Sequence, residues 1–278
     1  MTDTPATPAT PDDARPALRP AAFFDLDKTV IATSAATAFA RPFLVGGLLS
    51  RRAMLRSAGA QIAFLFGSAT EGRTERVRAQ LSAMVAGWDV ERVSAIVAES
   101  LHEAVDAVLY AEALDLIAEH HAAGHDVVIV SASSEELVRP IAGLIGADEV
   151  ISSRMAVADG RYTGEIAFYA YGDAKADAMR DLARRRGYDL AASSAYTDSA
   201  TDAPMLAAVG HAFVVNPDRA LRRLAAERGW STVTFRRQVR LRQLTGAAGP
   251  RAELAGAVVL ALAAAALAGL WWSRRRPA

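Results

Sequence analysis

The sequence contains no cysteine, which excludes disulfides, thiolate zinc sites and a cysteine nucleophile. It also has no excess of either charge, with 31 basic and 31 acidic residues, so its overall electrostatics predict no nucleic-acid partner. No apolar run precedes Ala21, so no signal peptide is predicted, and residues 1–20 are expected to form a disordered leader. The whole sequence is 52% hydrophobic, and the chain after residue 20 is long enough to form a globular core.

Short apolar runs alternate with helical segments along much of the chain. The runs AAFFDL, DVVIVS, EVISS, SSAYT and HAFVVN are typical of buried parallel strands. Residues 35–118 instead place apolar residues three and four apart, which predicts an inserted helical cap. Asp159-Gly160 lies between two alternating runs and predicts a small β-hairpin.

This alternation predicts an α/β fold with a doubly wound parallel sheet, formed by residues 21–34 and 119–235. In such sheets the ligand lies beyond the carboxyl ends of the strands, so functional residues are expected there.

The C-terminal part has a different composition. Residues 254–272 carry no charge and would span about 28 Å as a helix, which predicts a transmembrane anchor. An alanine-rich helix buried in a core or a dimer is the alternative. Residues 236–253 form a basic linker that either lies on anionic lipid or is simply solvated, and residues 273–278 form a basic tail. The chain is therefore expected to be anchored in a membrane by a single C-terminal pass, with its globular part on the cytoplasmic side.

Two aspartates follow the first predicted strand. A carboxylate such as Asp25 is able to attack phosphorus, and a second one two residues on, Asp27, is able to protonate the leaving oxygen and then activate water. Two solvated acids in a surface turn are the alternative interpretation. The two aspartates alone do not distinguish a catalytic pair from a solvated surface turn.

Three more polar clusters lie at predicted strand ends or helix starts. Asp198 and Asp202 offer hard oxygen ligands for Mg²⁺, although acids at a helix start also serve as caps. Ser131 precedes a helix and could hold phosphate oxygens or act as an N-cap. Lys175 begins a helix, where a cation gains nothing from the helix dipole, and this hints at a phosphoryl partner.

The order of the four clusters resembles the haloacid dehalogenase superfamily over about residues 21–235, and most closely its phosphoserine phosphatase subfamily. The first motif of that subfamily, Asp-x-Asp-x-Thr, stands here at residues 25–29. The resemblance implies that Asp25 is the nucleophile and Asp27 the general acid and base. It further implies phosphate binding by Thr29, Ser131, Ala132 and Lys175, Mg²⁺ binding by Asp25, Asp27 through its main-chain oxygen, and Asp198, and support of that site by Asp202.

The resemblance implies a magnesium-dependent hydrolase of a small phosphomonoester. Ser34 stands where phosphoserine phosphatases usually carry a glutamate for the ammonium of their substrate, which weakens phosphoserine as the substrate. A lipid-like phosphate ester at a membrane and phosphotransfer to an acceptor other than water remain alternatives. An inactive, membrane-tethered module that binds a phosphorylated ligand is the alternative from another functional class.

Overall fold

A computed structural model describes residues 18–49 and 82–240, and within them the chain forms an α/β fold. The predicted leader up to residue 17, cap residues 50–81, and the linker, anchor and tail from residue 241 onward lie outside the described residues. The strands are β1 (Ala21–Phe24), β2 (Leu109–Tyr110), β3 (Asp126–Ser134), β4 (Glu149–Ala158), β5 (Arg161–Phe168), β6 (Ser194–Thr197), β7 (His211–Val215), β8 (Ser231–Val233) and β9 (Gln238–Val239). The helices are α1 (Ala35–Ala38), α2 (Ala40–Val45), α3 (Val90–Val105), α4 (Ala111–Ala122), α5 (Glu135–Leu144), α6 (Asp173–Arg186), α7 (Ala203–Ala207) and α8 (Arg219–Arg228).

Seven strands form the main sheet in the order β5-β4-β3-β1-β6-β7-β8. All neighbouring pairs are parallel except β4 and β5. The predicted α/β core with its parallel sheet is thus confirmed. Because β1 lies near the middle of the sheet, the residues that follow it emerge at the centre of the carboxyl edge.

Both faces of the sheet are covered, which explains why β1 is apolar at every position. Phe24 packs in a cluster that continues through Phe39, Phe43 and Val97, and therefore joins the sheet to the helical segments on that side. Phe23 points to the opposite face, where α6, α7 and α8 cover the sheet. All four residues of β1 are fully buried. A strand buried on both faces carries no polar alternation.

Strand β4 pairs with two different strands, β3 and β5. Its first half continues the parallel sheet beside β3, and its second half forms an antiparallel hairpin with β5. Asp159 and Gly160 make the turn with φ values of 49° and 72°, as a two-residue hairpin turn requires. The predicted hairpin is confirmed.

The start of the predicted basic linker is paired with the core. Strand β9 is antiparallel to β2. The main-chain N–H groups of Arg236 and Arg237 donate hydrogen bonds of 3.1 Å to the Glu112 carboxylate. This part of the linker therefore has protein partners.

The expected fold and localisation are corrected on one point, the membrane anchor, for which the described residues give no support. Across residues 18–49 and 82–240, no helix has both the length and the apolar character needed to cross a bilayer. The longest helix in these ranges, α3, has 16 residues, about 24 Å, and includes the charged residues Glu91, Arg92 and Glu99. Residues 254–272 lie outside the described residues, and eight of these nineteen residues are alanine. The described residues therefore give no support for a membrane partner.

Candidate active site

The loop after β1 holds the first two predicted site residues. The Leu26 carbonyl accepts main-chain hydrogen bonds from Thr29, Val30 and Ile31, which folds the loop tightly. Lys28, at the tip, adopts a φ of 61°, in the left-handed region that a non-glycine residue enters only when its surroundings hold it there. The loop thereby keeps Asp25 buried at the strand end, with 5% of its surface exposed.

The Lys175 ammonium connects Asp25 with Asp202. Lys175 lies in the first turn of α6 and is 2% exposed. Its Nζ donates to Asp25 Oδ1 at 2.6 Å and to Asp202 Oδ2 at 2.8 Å. The Thr197 hydroxyl donates a further bond of 2.8 Å to Asp202 Oδ2. The structure therefore brings together three of the residues that the sequence predicted.

The pKa values of Lys175 and Asp25 are shifted because two buried acids share one ammonium group. Burial lowers the pKa of Lys175, but the charges of Asp25 and Asp202 outweigh this and raise its pKa overall, so the lysine is cationic. Burial raises the pKa of Asp25, and Lys175 offsets only part of the rise. The negative charges of Asp202, Asp27 and Asp198 raise the pKa of Asp25 further, so all three acids lie within electrostatic reach of Asp25.

Asp27 is held from two sides. Its Oδ1 accepts a 2.7 Å hydrogen bond from the main-chain N–H of Ala35, the first residue of α1. Its Oδ2 accepts a 2.7 Å bond from the Ser133 hydroxyl. Burial raises the pKa of Asp27, and these two hydrogen bonds oppose the rise in part. An acid with a raised pKa and a fixed position is suited to proton transfer.

Ser133 reaches Asp27 because β3 bulges at its end. Ser131 pairs with Ser152 and Ser134 pairs with Ser153, so β3 advances three residues while β4 advances one. The extra residues, Ala132 and Ser133, are displaced from the regular ladder. The contact between Ser133 and Asp27 was not predicted from the sequence, although Ser133 lies only two residues after the predicted Ser131.

The other predicted phosphate-binding residues make local contacts. The buried Ser131 hydroxyl accepts a bond from the Ser133 main chain, and the Ala132 carbonyl accepts one from the Ser153 hydroxyl. The Thr29 hydroxyl accepts a 3.0 Å bond from the Asp198 main chain, which ties the loop after β1 to the loop after β6. Because Ser131 and Thr29 act as acceptors in these bonds, each hydroxyl proton is available for a phosphate oxygen.

Asp198 completes the acidic group at this edge of the sheet. It is half-buried, and burial raises its pKa to about 6, with Lys28 opposing the rise and Asp202 adding to it. Among the described residues, no three His, Asp or Glu side chains converge as a metal cluster. Mg²⁺, however, is commonly held by one or two carboxylates, with substrate and water oxygens completing its shell. The carboxylates of Asp25 and Asp198 and the Asp27 carbonyl supply hard oxygen donors of this type, so the residues fit Mg²⁺.

A cavity of about 280 Å³ opens beside Ala132 and Ser133. It lies between the helical part of the chain, including Phe43 and Trp88, and the β4–β5 hairpin. Its described walls are mainly apolar. The bulge thus separates the acidic group from an apolar space large enough for a small organic molecule.

The chain is similar to a family of hydrolases and to several bacterial proteins. Residues 22–207 match the family model described as haloacid dehalogenase-like hydrolase. The chain is 54% identical, over 94% of its length and 95% of the relative, to the Streptomyces azureus "Inhibition of morphological differentiation protein". It is 51% identical, over 94% of its length and 96% of the relative, to a probable phosphatase of Mycobacterium tuberculosis. A phosphoserine phosphatase of Mycobacterium tuberculosis is 34% identical, over 79% of this chain and 72% of that protein.

The fold also resembles a solved structure, a phospho-aspartyl intermediate analogue of phosphoserine phosphatase. The match has a TM-score of 0.54 and 19% identity, and it covers 82% of this chain and 98% of the other. At 19% identity, this similarity shows a shared fold only.

Proposed function

The chain belongs to the haloacid dehalogenase-like hydrolase family and is a phosphatase of that family, and on this premise we propose that it hydrolyses a small phosphate monoester through an aspartyl-phosphate on Asp25. The observation that carries the proposal is the pairing of Asp25 with the buried Lys175 ammonium at the carboxyl end of β1. A carboxylate beside a fixed cation is placed where an incoming phosphate needs both a nucleophile and charge neutralisation.

In the first step, an oxygen of the Asp25 carboxylate attacks the phosphorus atom and a new P–O bond forms. The bond between phosphorus and the ester oxygen breaks, and Asp27 transfers its proton to that oxygen, so the product alcohol leaves neutral. The raised pKa of Asp27 favours the protonated form that this step requires.

In the second step, a water molecule attacks the phosphorus atom while the Asp27 carboxylate removes a proton from it. The bond between phosphorus and Asp25 breaks, inorganic phosphate is released, and Asp27 is again protonated. The hydrogen bonds from Ser133 and Ala35 keep the Asp27 carboxylate in one place during both steps.

The remaining site residues bind and orient the phosphoryl group. The hydroxyl groups of Thr29 and Ser131 donate hydrogen bonds to its oxygens. The bulge at Ala132 contributes main-chain contacts, and Lys175 offsets its charge. Asp25, Asp198 and the Asp27 carbonyl would hold Mg²⁺, and Asp202 would hold Lys175 in place. When bound, Mg²⁺ would supply positive charge that reduces the repulsion between the anionic nucleophile and the anionic ester.

The test is phosphate release by the full chain with Mg²⁺ across sugar phosphates, nucleotides, phosphoserine, lipid phosphates and aryl phosphates. The Asp25→Asn variant should lose activity on every ester that the native protein hydrolyses. Asp177→Asn, at an exposed aspartate that pairs with Arg180, is the matched control and should retain activity. Equal rates for the native protein and Asp25→Asn would refute the assignment of Asp25. Candidate alcohols added to the assay would reveal phosphotransfer through the formation of new esters.

A further inference from the structure

The cavity beside the bulge is placed to receive the alcohol part of the substrate. In the proposed reaction, Asp27 faces the ester oxygen, and Ser133 both contacts Asp27 and lines the cavity. The alcohol attached to that oxygen therefore extends past Ser133 into the cavity. The nature of its walls then bears on which alcohol is accepted.

The walls are apolar over most of their described extent. The large apolar side chains that form them include Phe43, Met84, Trp88, Leu137, Met155 and Ile166. The volume of about 280 Å³ is near the lower limit of small-molecule sites, roughly 300–1,000 Å³. The described cavity suits a compact and largely apolar alcohol.

One buried polar group in this cavity has no partner. Tyr162 is 4% exposed, and among the described side chains its hydroxyl alone is buried without a hydrogen-bond partner. Buried hydroxyls are normally hydrogen-bonded, and an exception requires an explanation. A ligand group that bonds to the Tyr162 hydroxyl would provide one.

Glu136 lies next to this hydroxyl and also lines the cavity. Burial, then the Glu136 charge and a close side-chain approach by Glu136, raise the pKa of Tyr162. The carboxylate therefore adjoins the hydroxyl, although the pair does not meet the full distance and angle criteria of a hydrogen bond. Glu136 forms no ion pair with any residue in the ranges 18–49 and 82–240. A cation placed between the two groups would pair with Glu136 and donate a hydrogen bond to the Tyr162 oxygen.

The charge of the described lining is negative. Glu136 is its one acidic side chain, and the described lining contains no lysine, arginine or histidine. Its other polar side chains are four serines, Tyr169 and Tyr162. In a mostly apolar space a single carboxylate attracts a cation and repels a second carboxylate more strongly than it would in water.

The Tyr162 main chain is fixed by the helical part of the chain. Its N–H donates to the Trp88 carbonyl at 3.0 Å, and its carbonyl accepts from Gly87 at 2.8 Å. Two residues on, Gly164 has a φ of 87°, and a Cβ there would lie 2.9 Å from the Ala86 Cβ. The hairpin therefore packs closely against residues 82–88, and the hydroxyl is held in position before any ligand binds.

We infer that the substrate is the phosphate monoester of a small, largely apolar alcohol that carries one amino group, and that this group binds between the Glu136 carboxylate and the Tyr162 hydroxyl. The inference rests on the proposed hydrolysis, and it assigns substrate specificity to two residues outside the phosphate-binding motifs.

The test uses three esters that differ in one charge: para-(aminomethyl)benzyl, para-methylbenzyl and para-carboxybenzyl phosphate. The full chain with Mg²⁺ should hydrolyse the amino ester with a kcat/KM about tenfold or more above that for the carboxy ester, as a partly buried ion pair allows. In Glu136→Gln the ratio of the two values should fall close to one. Tyr162→Phe should lower kcat/KM for the amino ester by about fivefold without lowering Tm, because no protein group loses a hydrogen bond.

Glu135→Gln is the matched control, because Glu135 lies in the same turn of α5 but pairs with Arg139. It should keep the native ratio. Hydrolysis that depends on Asp25 but shows no preference for the amino ester, or a preference that survives in Glu136→Gln, would overturn the inference and leave the proposed function standing. If none of the three esters is hydrolysed in an Asp25-dependent manner, the proposed function fails, and the inference fails with it.

Discussion

The Ser133 hydroxyl donates a 2.7 Å hydrogen bond to Asp27 Oδ2, so the bulge at the end of β3 holds an acid that follows β1. The other Asp27 oxygen accepts from Ala35, at the start of α1. The position of Asp27 therefore depends on the sheet and on the first helix beyond it. Hydrogen bonds to a charged group are stronger than those between neutral groups, so each contact should affect the activity.

Ser133→Ala should lower kcat by about tenfold with little change in KM, because it frees Asp27 to move without removing a phosphate contact. Ser133→Thr keeps the hydroxyl and should restore most of the rate. Ser231→Ala, at an exposed serine of the edge strand β8, is the matched control and should keep the native kcat. Steady-state kinetics on one ester would decide the matter, and a kcat for Ser133→Ala equal to the native value would contradict a positioning role.

Asp27→Asn should slow the second step more than the first when the leaving group is good, because asparagine cannot take a proton from water. With para-nitrophenyl phosphate we expect kcat to fall by about a hundredfold or more. We also expect an initial burst of nitrophenol, and a phosphate retained on the Asp25 peptide after acid quenching and mass spectrometry. Asp25→Asn should show neither the burst nor the modified peptide. A variant with native turnover and no modified peptide would argue against the two-step mechanism.

The elements predicted correctly from the sequence are those set by local patterns. A run of four apolar residues before Asp25 specifies a strand buried on both faces, and Asp159-Gly160 specifies the hairpin turn through its backbone preferences. The placement of Asp25 at the carboxyl edge follows from the alternation of strands and helices.

The features that the sequence did not predict depend on contacts between distant segments. The register shift that displaces Ser133 arises from the pairing of β3 with β4, and no residue type in the run signals it. Tyr162 lines the cavity because its main chain pairs with Gly87 and Trp88, more than seventy residues earlier. The predicted transmembrane segment, residues 254–272, lies outside the described residues, and no described helix supports a membrane span.

Lys175→Met should reduce both stability and activity. It leaves Asp25 and Asp202 buried without their cation, and removal of one member of a buried ion pair costs about 3–5 kcal/mol. Because burial raises the pKa of Asp25, protonation should relieve part of the loss as the pH falls. Urea unfolding with a chelator present would measure the change. The double variant Lys175→Met/Asp202→Asn should recover part of the stability but no activity, and an equal loss in both would exclude charge as the cause.

Removal of divalent cations should abolish hydrolysis, and added Mg²⁺ should restore it. Asp198→Asn should raise the Mg²⁺ concentration needed for half-maximal rate by about tenfold or more, because it removes one of the proposed carboxylate ligands. Asp177→Asn, on the exposed face of α6, should leave that concentration unchanged. Full activity of the native protein after chelation would rule out the proposed metal site. An unaltered Mg²⁺ requirement in Asp198→Asn would remove Asp198 from it.

His120 should make the fold sensitive to acid. Its Nε2 lies 2.9 Å from the Tyr196 hydroxyl and its Nδ1 lies 3.0 Å from His125 Nδ1, and burial together with His125 and His121 lowers its pKa from 6.5 to about 4. Between these values the unfolded chain binds a proton that the folded chain does not, so this contribution to stability is complete above pH 6.5 and is lost as the pH falls toward 4. The drop in Tm between pH 7 and pH 5 should therefore be smaller in His120→Gln than in the native protein. His211→Gln, at an exposed histidine, should match the native drop, and an equal drop in His120→Gln would show that His120 is protonated equally in both states.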